Sequence, residues 1–129
     1  MPHGAPLSII DFASRAPKEK VLIGLIPTAR AWEVAAYHKF GSWNDCPPPA
    51  AHVAIAREWS ERYGARLIAN TADVLEFEVD RPITSRDEAI ALALEQFRYC
   101  SDIVYQSAGT VDALAAHLLG ARYWYLWWD

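Results

Sequence analysis

The sequence predicts an α+β domain: a four-stranded, mainly antiparallel sheet with helices packed on one face, in the split β-α-β-β-α-β order of ferredoxin-like folds. Three observations predict it. A β-favouring run, Val21-Leu22-Ile23-Gly24-Leu25-Ile26, precedes the first clear helix. Leu75, Phe77 and Val79 alternate with Glu76, Glu78 and Asp80, the period of a strand with one packed face and one wet face. The chain closes on Tyr123-Trp124-Tyr125-Leu126-Trp127-Trp128-Asp129, and aromatic residues favour strands.

Residues 1–17 contain three prolines and no sustained period, so they read as a flexible N-terminal arm, with residues 18–129 as one domain. The run at 21–26 stops at Pro27 and suits a strand covered on both faces. Gly24 inside it points to a bulge or to close approach by another backbone. Residues 31–38 fit either two turns of helix or an extended segment. The stretch 41–49, from Gly41 to Pro49, is too rich in Gly, Asn and Pro to be regular. Its last proline suits the first turn of a helix, where the missing N–H is not needed.

Residues 50–63 form an amphipathic helix with His52, Ile55, Ala56, Trp59 and Tyr63 on one face, and Gly64 is a natural left-handed stop. The next segment, 66–79, is a hairpin turning at Asn70-Thr71-Ala72-Asp73. Ser85 and Glu88 have the spacing of a capping box, opening a helix to Tyr99 with Ile90, Ala93, Leu94 and Phe97 inward. A shorter helix from Val111 carries Leu114 and Leu118 on its apolar stripe and ends at Gly120. The alternative topology is an α+β sandwich in which the N-terminal segment adds a fifth strand.

A chain of 129 residues is one domain and buries roughly two-thirds of its unfolded surface, enough for a core without staples. No apolar run approaches the ~20 residues of a membrane span, and Met1-Pro2-His3-Gly4-Ala5-Pro6 has no secretory pattern; a cytoplasmic location is expected. With net charge −4 and no basic cluster beyond Lys18-Glu19-Lys20, nucleic acid is not an expected partner. Cys46 and Cys100 lie in no Cys-x-x-Cys pair, so free thiols are expected.

Several segments together resemble one family. They are Trp32-Glu33-Val34, then Gly41-x-Trp43-Asn44-Asp45-Cys46-Pro47-Pro48, Arg62-Tyr63-Gly64-Ala65, Tyr99-Cys100-x-Asp102 and the closing Trp124-Tyr125-x-Trp127-Trp128-Asp129. They resemble the uncharacterised bacterial family known as domain of unknown function 4253, over about residues 28–129. Ser42, in place of a second glycine, and Leu126, in place of an aromatic, depart from its pattern. The resemblance implies no activity, cofactor or partner.

The residues themselves offer two readings. Six tryptophans, each able to bury about 150–250 Å², are enough to build a core or to wall a binding surface. On the first reading the protein is a small interaction or ligand-binding module whose aromatic surface surrounds the 41–49 loop. Its binding residues are Trp32, Trp43, Asn44, Asp45, Trp127 and Trp128, and its partner is a protein or small ligand, with a homo-oligomer as one form. The loop and the end of the last strand are expected to lie against each other. On the second reading the protein is a thiol-dependent hydrolase or transferase. Cys46, just before a helix N-terminus that would lower its pKa, is the nucleophile, with His38 or His52 as base. His3, His38, His52, His117 and the two cysteines show no metal-ligand spacing. No Gly-x-Gly-x-x-Gly, phosphate loop or Gly-x-Ser-x-Gly is present, so neither metal nor cofactor is expected.

Overall fold

The computed structural model describes residues 4–129; His3 lies outside them. Proline-led helix α2 (Pro49–Tyr63) follows a 3-10 turn (Ala31–Glu33) and the one-turn α1 (Val34–Tyr37). Then come strands β1 (Ala65–Asn70) and β2 (Val74–Val79), α3 (Arg86–Tyr99), a π-helical turn (Val104–Ala108), α4 (Val111–Leu118) and β3 (Tyr123–Trp127). The sheet has order β1-β2-β3 and both pairings are antiparallel.

The local signals for these elements are physical. Gly64 ends α2 at φ 62° and its N–H caps Ser60 and Trp59 carbonyls, the left-handed close that glycine makes at least cost. Ser85 caps α3 by accepting from the Glu88 N–H, and Thr110 caps α4 by accepting from Ala113. The inward face of α3 carries Ala89, Leu92, Ala93, Gln96 and Tyr99. Of the residues expected inward, Ala93 is buried, Ile90 and Phe97 are half-buried and Leu94 is exposed.

Those aromatics sit on one sheet face. Trp59 of α2 stands edge-on against Phe77 of β2, Trp124 of β3 and Tyr99 of α3. Leu75 pairs with Leu126 and Phe77 with Trp124 across the β2–β3 ladder, so their side chains share this face. The core lies here, between the sheet and α2 and α3, with α4 packed on α3.

Two expectations need correction. Among the described residues the sheet has three strands, not four, so the split β-α-β-β-α-β order fails although the α+β class holds. Residues 21–26 take no strand pairing; Leu22, Ile23 and Leu25 are 98%, 90% and 93% exposed. β-propensity measures fitness for a pleated surface and does not name a partner. Nor is the second face of β2 wet. Glu76 is fully buried at 0% exposure, and its carboxylate accepts the N–H groups of Leu7 and Ser8 at 2.7 and 2.9 Å. These amides open a 3-10 turn (Leu7–Ile9), whose unpaired N–H groups suit an anionic acceptor. Glu78 and Asp80 stay nearer solvent, where both meet Arg66.

Candidate functional site

The 41–49 loop is built on left-handed backbone. Gly41, Ser42 and Asn44 have φ of 109°, 67° and 42°, and the Ser42 N–H donates to the Pro47 carbonyl at 3.0 Å. A Cβ on Gly41 would stand 1.9 Å from that carbonyl oxygen and 2.8 Å from His52 Nε2. Only glycine fits there. The Cys46 N–H closes a turn onto Trp43 at 2.8 Å, which points the thiol inward, toward the first turns of α2.

Inside, Cys46 Sγ lies 3.4 Å from His52 Nε2, and His52 Nδ1 meets the Tyr99 hydroxyl. Phe40, Tyr99 and Trp128 surround the imidazole edge-on. Each ring nitrogen thus has one polar neighbour inside the core, the thiol at Nε2 and the phenol at Nδ1.

Burial sets the electrostatics of this cluster. Burial pushes the Cys46 thiol up to about 12, overriding the helix-terminus effect expected from sequence. Burial likewise pulls His52 down to about 4, against the opposing pull of the Pro47 carbonyl. Tyr99 is raised, again mainly by burial. Near neutral pH the three groups are an uncharged, hydrogen-bonded core cluster. A thiolate–imidazolium pair needs the opposite shifts.

The other sequence-singled residues are spread out. His38 bonds Asn70 at the end of β1, not the thiol. Asn44 Nδ2 donates to the Asp129 backbone carbonyl at 3.0 Å, and Trp128 packs on Phe40, so the loop and the end of the last strand do meet. Trp43 is half-buried against Phe40, and Asp45 is exposed. Trp128 is interior, whereas Trp127 is half-buried and packs against the core. Trp32 is half-buried in the 3-10 turn beside β1 and makes no ring pair with Trp43 among the described residues. Tyr99 and Phe40 were missed by sequence reasoning. Tyr99 shares the inward face of α3 with Ala89, Leu92 and Gln96, a periodicity that would have found it.

A second region is the outer edge of β1. A groove of about 440 Å³ runs between this edge and the 18–26 segment, lined by Ser8, Lys20, Leu22, Gly24, Leu67 and Asn70 among others. Among the described residues no backbone hydrogen bond crosses it. No group of three His, Cys, Asp or Glu side chains able to hold a metal occurs among them, and no helix is long and apolar enough to cross a membrane.

No curated protein and no solved structure matches the chain. A family model described as a domain of unknown function matches residues 22–129, which takes in the apolar segment, the 41–49 loop and the closing Trp-Trp-Asp. The chain belongs to that family, DUF4253.

Proposed function

We propose that this protein is a small interaction module that receives an extended apolar chain at the outer edge of β1. One observation carries the reading: Leu22, Ile23 and Leu25 stand 90–98% exposed, beside a strand edge with no backbone partner among the described residues. Contiguous exposed apolar side chains mark interaction surfaces, and an open edge accepts an added strand through its main chain. The aromatic cluster supports the module from within by fixing α2 and β3.

The 41–49 loop is the second reading, since Asn44 and Asp45 are exposed beside half-buried Trp43. It offers one aromatic edge where the 21–26 segment offers three exposed aliphatic side chains, so the segment carries the proposal. Thiol chemistry at Cys46 is the weakest reading, because burial holds the thiol protonated and its histidine neutral.

A soluble strand-forming peptide, alternating valine and threonine between terminal lysines, tests the module reading. Titrated into isotope-labelled protein, it should shift the amide resonances of residues 67–70 and 20–26. Shifts confined to α3 and α4, or no shifts at millimolar peptide, would refute it.

A further inference from the structure

Gly24 has no explanation inside a single copy of the chain. Its φ is not positive, and a Cβ there would meet only Ile26 Cδ1 at 3.9 Å, an ordinary contact. Neither backbone conformation nor crowding demands glycine, yet glycine interrupts a run of large apolar residues. In a strand, such a glycine marks the place where another backbone comes close. The neighbours point the same way: the run is apolar on both alternating faces, the pattern of a strand that is covered on both sides.

The same molecule carries both halves of a strand pairing, an unpaired edge and an unpaired β-favouring run. A surface that is complementary to itself closes by two-fold symmetry. We propose, resting on the module reading above, that the occupant of the groove is residues 21–26 of a second copy. Each copy's run enters the other's groove, pairing with the partner's β1 on one side and with the partner's own run on the other. The two runs cross antiparallel near Gly24, where the missing side chains let the backbones approach.

The dimensions fit this arrangement. At ordinary strand and sheet spacings one residue of added strand occupies roughly 160 Å³, so the groove of about 440 Å³ admits the middle of the run, with its ends projecting. The segment is free to shift into register. Its backbone is tied at Lys18, which donates to Ile9; the next backbone bond, Thr28 to Ile26, is local, and among the described residues none holds 19–25 to the rest of the chain.

The test combines oligomeric state, cross-linking and amide exchange on the full chain. Wild type should be dimeric by light scattering at tens of micromolar. Amides at 21–26 should gain protection from exchange as concentration rises. Gly24→Cys should form an inter-chain disulfide under mild oxidation, while wild type, whose Cys46 and Cys100 are buried, should not. Leu22→Glu with Leu25→Glu should give a monomer with unchanged circular dichroism, since both positions are exposed.

Two results overturn the proposal in different ways. A chain that stays monomeric at hundreds of micromolar with 21–26 unprotected excludes the second copy but leaves the module reading standing. A monomer with 21–26 protected at all concentrations has closed the edge on itself, and both readings fall.

Discussion

Replacing Trp59 by alanine tests the core on which both the loop and the sheet depend. The ring is fully buried and stands edge-on to Phe77, Tyr99 and Trp124, and its Nε1–H donates to Glu95 at 2.7 Å. Truncating a buried Trp costs ~3–5 kcal/mol through lost transfer energy and the cavity left behind. Each edge-on pair adds ~0.5–1.5 kcal/mol beyond area, which favours the upper half of that range. The Glu95 carboxylate keeps Arg62 at 2.9 Å, so losing the indole donor leaves no orphaned charge. A cost of ~4–5 kcal/mol is expected, a large part of the ~5–15 kcal/mol of a typical domain. Urea titration followed by circular dichroism reads it directly. Trp59→Phe keeps a ring but no donor and should fall between wild type and alanine. A cost for alanine below about 1.5 kcal/mol at an unchanged urea slope would mean that this ring does not hold the layers together.

Three further outcomes follow from the site. Ser42 sits at φ 67°, so Ser42→Gly should gain up to about 1 kcal/mol in denaturant stability; a loss would mean the serine side chain has a role of its own. His52 binds its proton near 6.5 when unfolded but only near 4 when folded, so stability is full above pH 6.5 and declines as pH falls toward 4. The decline attributable to this residue is at most about 3 kcal/mol, and comparing wild type with His52→Gln isolates it; equal slopes would remove His52 as the cause. With its thiol raised from 9.0 to about 12, Cys46 should alkylate about a thousandfold more slowly at pH 8 than a free thiol. Rapid alkylation in the absence of denaturant would reopen the enzyme reading.

What could be read from sequence was what local chemistry decides. The caps at Ser85 and Gly64 and the hairpin turn at 70–73 are written within a few residues, and all appear where expected. The pairing of residues 21–26 could not be read, because composition says what a segment suits and not what lies beside it. Burial of Glu76 was illegible for a related reason: the amides that cover it come from Leu7 and Ser8, nearly seventy positions away. At the site, nearness in sequence paired Cys46 with His52 correctly in space. It also suggested His38, which the end of α1 carries to Asn70. The chemistry of the pair depended on burial, which reversed the expected direction of the thiol's shift.

The grip of Glu76 on Leu7 and Ser8 also sets an order of events. Closing a loop of nearly seventy residues costs entropy before the contact repays it, so this contact is expected to form after β2 has found its neighbours. It cannot come undone alone either. Whenever the N-terminal turn lifts, water must enter the middle of the sheet to solvate the carboxylate. Fraying at the start of the chain and wetting of its central strand are therefore a single fluctuation, and the amides of Leu7, Ser8 and the back of β2 should exchange with one shared opening rate.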